Sequence, residues 1–363
     1  MPGGHEKPMS LIRKYGETDF ITGLRAIAAT MVVVIHTGAF NDFGWLGQNV
    51  TAAGKHGVQA FFVISGFTIV ATFLRSRSYS EYLTRRLFRI APLYYVMCGL
   101  AAVLIASAVL PVPYWMDRYG SSSGLYNLFA HLSFLSFLDH RVANSLIGVE
   151  WSIPIEVFAY IFLPFLIPRL RTTKDYRIAF VTLLILSGLS RAGAELFNDA
   201  RAEWFPLTFG PYFLLGMACH AIRKSNWRDE WRYRKSAYWG GVVLFAATLL
   251  LGLPGGSALI ALATATMITF HKTSDSAPGI QFLSTRPMLF VGSISYSIYL
   301  WHILIMGLFN AYVAPGNGVT GLWLFAVVYG ATLVASTCSY MLIEKPTNSW
   351  GRWVADRALP VKA

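Results

Sequence analysis

Apolar residues run through this chain in blocks close to twenty long, separated by short and mostly basic stretches. A helix of twenty apolar residues reaches about 30 Å, the thickness of a bilayer's hydrocarbon core. The blocks predict spans at 20–40, 55–74, 91–110, 150–168, 178–196, 205–222, 237–253, 256–271, 289–310 and 321–343. The expected fold class is therefore an all-α polytopic membrane protein with about ten transmembrane helices. Residues 125–138, LYNLFAHLSFLSFL, are expected to lie at the interface or re-enter, because they are too few to cross. The organisation that follows is a segment 1–19, one transmembrane domain 20–343 and a tail 344–363, with no internal repeat and no separate folded domain.

Lysine and arginine set the expected orientation. With the N-terminus inside, the six inner segments hold 24 of the 30 basic residues, and the outer segments with their flanking span ends hold five. Arg25, inside a span, completes the set. So uneven a split places both termini in the cytoplasm, and a full crossing by 125–138 would invert everything downstream and destroy it. The net charge of +12 then reads as membrane orientation, and no nucleic-acid partner is expected. Only 13% of residues are charged and 55% are hydrophobic, where a soluble domain carries about 25% charged residues. Cys98, Cys219 and Cys338 sit in apolar blocks without metal or redox spacing, so they read as packing residues and no metal site is expected. The first span has the basic flank and apolar core of a signal peptide, but Arg25 interrupts that core, and the expectation is a retained span.

Ionisable residues within spans cost about 2.5–3.5 kcal/mol each on the insertion scale, so each needs a reason. Arg25 and His36 are eleven residues apart, close to three whole helical turns, and so share one face about 16 Å apart. Snorkelling to the inner surface would account for Arg25 alone, and a core hydrogen bond for His36 alone. Glu156 in VEWSIPIEVFAY and His302 in VGSISYSIYLWHILI are expected at the depth of His36, in the outer third, with Tyr299 on the face of His302. On the inner side, RSRSYSEYLTRRLFRIAPLYY holds five arginines and no lysine, with Arg86 and Arg89 spaced i, i+3 on an expected interfacial helix. The positive-inside rule explains the charge, whereas exclusive use of arginine suits forked contacts to phosphate. Ser65 in ISGF lacks the Gly-x-Ser-x-Gly context of a nucleophile and reads as a packing residue.

These residues resemble the acyltransferase-3 family of integral membrane O-acyltransferases, in order and along almost the whole chain. LRAIAATMVVVIH is similar to its Arg/Lys-x10-His signature (Arg25, His36) and GKHGVQAFFVISGF to its second-helix motif. RRLFRIAPLYY is similar to its Arg-x-x-Arg element (Arg86, Arg89), and EWSIPIEVFAYIFLP to its Trp-Ser…Glu motif (Trp151, Ser152, Glu156). SYSIYLWH matches its late Ser-Tyr-Ser-x-Tyr-x-x-His motif and IEKP its closing Glu-x-Pro. The resemblance implies transfer of an acyl group, most often acetyl, from cytoplasmic acyl-coenzyme A to a hydroxyl of an extracytoplasmic acceptor. The implied acceptor is a carbohydrate such as exopolysaccharide, O-antigen or lipo-oligosaccharide, free or lipid-linked. A macrolide-like small molecule is the alternative within the family.

The implied roles place the donor at Arg25, Arg86 and Arg89, catalysis at His36 with Glu156 or His302 as its partner, and substrate contacts at Tyr299, Trp151 and Ser152. His36 would act as a general base or carry the acyl group itself. No permanently bound cofactor is expected, acyl-coenzyme A being a substrate. The setting implied is a bacterial inner membrane, with glycan-assembly machinery or a second copy as possible partners. A stand-alone enzyme, without a fused SGNH-type domain after its last span, is the expectation. A glycan transporter or flippase would also place polar groups in spans, but neither inverted nor parallel repeats are visible.

Overall fold

The computed structural model describes residues 18–196, 204–225, 231–272, 278–314 and 320–358. Most of the expected N-terminal segment 1–19 lies outside these residues. Helices occupy every expected span. They are α1 (Asp19–Thr37), α2 (Gly44–Ala53), α3 (Gly57–Phe73), α4 (Tyr79–Ala106), α5 (Tyr114–Arg118), α6 (Leu125–Leu132), α7 (Ser152–Phe162) and α8 (Thr173–Leu196). There follow α9 (Pro206–Lys224), α10 (Arg234–Leu251), α11 (Gly256–Phe270), α12 (Pro278–Leu283), α13 (Arg286–Ser293), α14 (Ser295–Tyr312), α15 (Gly321–Ser339) and α16 (Lys345–Ala358).

Among the described residues four helical runs are long and apolar enough to cross a membrane: Asp19–Thr37, Gly44–Phe73, Tyr79–Ala106 and Gly321–Arg357. A fifth is the pair α13 and α14, bent by 69° at their junction. Large apolar side chains cover the outside of the bundle, among them Val103 on α4, Leu189 on α8, Val243 on α10 and Val334 on α15. A soluble fold would bury such stripes, and lipid is the solvent that accepts them. The chain is therefore read as an integral, many-helix membrane protein.

Three departures from the expected elements position the site. The second helical run begins at Gly44, and a 3₁₀ turn (Gly54–His56) joins α2 to α3. Here α1 and α3 touch backbone to backbone: a Cβ on Gly54 would lie 2.3 Å from the Met31 carbonyl oxygen, and one on Gly57 2.5 Å from that of Ala28. Secondly, the arginine-rich stretch is the first turns of α4 and not a separate interfacial helix. Ser78 caps it by accepting the Glu81 amide, and Glu81 in turn accepts the Arg77 amide at 2.8 Å. Thirdly, a π-helical turn (Tyr340–Glu344) joins α15 to α16, so the expected tail is helical as far as Ala358. Arg77 and Arg85 bind Asp356 at 3.2 and 2.9 Å, tying α16 to the start of α4.

Helix α6 has eight residues, about 12 Å, and cannot cross a core of about 30 Å. It buries Asn127 and His131 and exposes Leu125 and Phe129, as an interfacial helix with lipid on its apolar face would.

Candidate active site

Helix α1 starts at the end of the bundle where α3 hands over to α4, and finishes at the opposite end. Arg25 lies near its start and His36 in its last turn. The two ends carry different chemistry.

At the arginine end, Arg25, Arg86 and Arg89 line two neighbouring spaces. One is a vestibule of about 420 Å³ bordered also by Thr22, Arg85 and Glu344. The other is a narrow chamber of about 70 Å³ running inward past Ser65, Glu156, Tyr160, Ser152, Tyr296 and Tyr299. The arginines are not equivalent. Arg86 is buried and spends its guanidinium on α3, donating to the Thr68 carbonyl at 2.5 Å and to Thr72 Oγ1 at 2.6 Å, and it also lies over the Tyr160 ring. Arg25 and Arg89 are half-buried, and no hydrogen bond to another described residue ties up either guanidinium. These two therefore have donors to offer a phosphate-bearing guest, while Arg86 holds the wall.

The carboxylates follow a different plan from the expected one. Glu156 accepts Ser65 Oγ at 2.5 Å and Tyr160 OH at 2.6 Å, in the chamber at the middle of α3. Among the described residues no hydrogen bond joins it to His36 or His302. The expected common layer of His36, Glu156 and His302 is thus replaced by two levels. The reason is local: α7 starts only at Ser152, and its face carries Glu156 and Tyr160, one turn apart, toward α3. Ser65 carries more than packing, whereas its neighbour Gly66 is the packing residue, where a Cβ would lie 1.9 Å from the Phe213 oxygen. Glu344, quoted above only as part of IEKP, is buried and accepts Ser297 Oγ at the rim of the vestibule. Spacing could have found Tyr160, four residues after Glu156; Glu344 had no such signal.

At the histidine end, His302 Nε2 lies 3.1 Å from His36 Nδ1. Each Nδ1 also faces a backbone carbonyl one turn back: Val32 at 2.8 Å for His36 and Ile298 at 3.1 Å for His302. A carbonyl oxygen only accepts, so both rings carry their proton on Nδ1. His302 Nε2 is then a lone pair accepting from His36 Nδ1–H, and His36 Nε2 is a lone pair that no described residue engages. An imidazole so held can take a proton at Nε2, while His302 accommodates the positive charge that follows.

Of the remaining predicted residues, Ser152 donates to Tyr299 OH at 2.8 Å, and both line the chamber. The Tyr299 and His302 rings lie 6.1 Å apart between centroids. Trp151 instead packs against Phe62 and Phe209 and does not line the chamber.

The acyltransferase-3 family model, described as an acyltransferase domain, matches residues 18–341. O-acetyltransferase OatA of Staphylococcus aureus strain NCTC 8325 / PS 47 is 25% identical over 377 aligned residues, covering 91% of this chain and 57% of that protein. OatA of strain COL aligns with the same figures. The chain thus spans 57% of the length of these curated relatives. No solved structure matches significantly.

Proposed function

The chain belongs to the acyltransferase-3 family, and we propose that it is a membrane O-acyltransferase moving an acetyl group from cytoplasmic acetyl-coenzyme A to a hydroxyl of an extracytoplasmic carbohydrate. The observation that carries this reading is His36 itself. Its Nδ1 is fixed and its Nε2 is free, on the face of α1 that also bears Arg25 at the arginine-lined vestibule. A donor with a phosphate-rich head and a long thin arm suits a wide vestibule that narrows to a slot. The uneven distribution of lysine and arginine supports a cytoplasmic vestibule with the histidines toward the outside.

The head of the donor meets Arg25 and Arg89, with Arg86 bracing α3 behind them. The thioester is brought toward the histidines past Tyr299. His36 Nε2 accepts the acceptor's O–H proton as the oxygen attacks the thioester carbonyl. The C–S bond then breaks, and the thiolate of coenzyme A regains that proton from His36 Nε2–H. His302 Nε2 holds the His36 ring throughout, as the third member of a triad orients its base. The acetyl group and its transfer to oxygen are supported by the relatives' printed name, and the carbohydrate acceptor by the family resemblance. The same resemblance supports a bacterial inner membrane as the setting.

The test compares ester-linked acetyl on the source cell's surface glycans in a deletion strain complemented with wild type or His36→Ala, at matched membrane levels. Loss of one acetyl group with the variant alone is expected. Equal acetylation in deletion, variant and wild type would remove glycans as the acceptor.

A further inference from the structure

We propose that Glu150 is a positioning residue for this reaction, acting through Tyr299 on the chamber beside the His36–His302 pair; the inference rests on the acyl-transfer reading above. Glu150 is fully buried, and its carboxylate is the centre around which the connection into α7 is folded. Oε1 accepts the Leu146 amide at 2.7 Å, and Oε2 accepts the amides of Gly148 at 2.6 Å and Val149 at 3.0 Å. Oε1 also lies 3.4 Å from Nε2 of His131, which is fully buried too. Nδ1 of that ring donates to the Asn127 carbonyl at 2.9 Å, so His131 is held in place beside the carboxylate. The ring and the carboxylate are a buried contact between α6 and the connection. Gly148 takes φ +101° there, a conformation side chains rarely adopt.

The folded connection presents one group to the site. The Val149 carbonyl accepts the Tyr299 hydroxyl, and Ser152, three residues on, donates to the Tyr299 hydroxyl oxygen at 2.8 Å. Tyr299 is thereby held at both its proton and its lone pair. It lines the chamber one turn before His302 on α14. Its proton is committed to Val149, so its ring and hydroxyl shape the path and are not themselves a free oxyanion donor. No other described side chain contributes to the cage of three amides around which Val149 is set.

Glu150→Gln tests this, because an amide must turn its –NH2 either toward the Leu146 amide or toward those of Gly148 and Val149. The assay is incorporation of radiolabelled acetyl from acetyl-coenzyme A into the glycan fraction of permeabilised deletion-strain membranes carrying each variant. Wild type, Glu150→Gln, Tyr299→Phe and the double variant form a cycle. Expected are a fall in kcat of about a hundredfold for Glu150→Gln, an unchanged KM for acetyl-coenzyme A, and little further loss when Glu150→Gln is added to Tyr299→Phe. Additive losses, a raised donor KM, or a Tyr299→Phe protein as active as wild type would overturn the proposal. No incorporation by wild type would sink the acyl-transfer reading itself, a separate result. If Glu150→Gln does not accumulate, Gly148→Ala serves. Its Cβ meets only Ile303 at 3.6 Å, so it strains the connection through φ alone, and it should show the same dependence on Tyr299.

Discussion

His36 and His131 are anchored in the same way and end beside different neighbours. Each donates Nδ1–H to the carbonyl four residues back, Val32 and Asn127 respectively. What differs is the other nitrogen. His131 is fully buried and its Nε2 lies 3.4 Å from the Glu150 carboxylate, so the ring serves as a structural contact. His36 Nε2 faces no described group, and the neighbour of its Nδ1 is another imidazole and not a carboxylate. A carboxylate beside a histidine fixes a proton in place, whereas a second neutral histidine orients the ring and leaves the lone pair free for chemistry. One backbone device thus gives a base at one site and a rivet at the other.

The contrast breaks most visibly at His36. His36→Ala should lower acetyl transfer about 10²- to 10⁴-fold, the usual contribution of a general base, with protein yield unchanged; a variant of wild-type rate would end the comparison. His131→Gln should do the reverse, removing the buried ring that holds the Asn127 carbonyl and lies against the Glu150 carboxylate. The expected cost is about 1–3 kcal/mol of stability, seen as a lowered unfolding midpoint in lipid discs. His302→Gln sharpens the picture: with orientation weakened and Nε2 still intact on His36, kcat should fall about tenfold with little change in donor KM.

The smallest effect is expected at Asp139, a half-buried carboxylate whose partner Arg141 is exposed. Arg141 binds it at 2.8 Å and holds its carboxyl down at about 2. A depressed carboxylate contributes stability above its unfolded value of about 4, and that contribution is lost as pH falls through about 2. Solvent screening keeps it within about 1 kcal/mol, so Asp139→Asn should barely move the unfolding midpoint at pH 7.

Much of this was legible in the chain because helical spacing is regular. Arg25 and His36 align on one face, and His302 stands out as an ionisable residue in an apolar run. The depth of Glu156 was misjudged because the apolar block begins before its helix does: Glu150 and Trp151 belong to the connection. The 69° bend before α14 was also hidden, since the composition runs smoothly through it. Gly292 permits close approach there, where a Cβ would lie 1.9 Å from the Thr22 oxygen. The His131–Glu150 pair had no periodic signal, because a folded connection brings the two together. Arg86 and Arg89 looked alike by spacing, and only the contacts of Arg86 with α3 separate them.

The most direct test of the central claim is ¹⁵N NMR of histidine-labelled protein in liposomes at pH 7, with resonances assigned by single His→Gln variants. The structure predicts one proton on His36, at Nδ1, with Nε2 unprotonated. Two protons on His36, or its single proton on Nε2, would contradict the account.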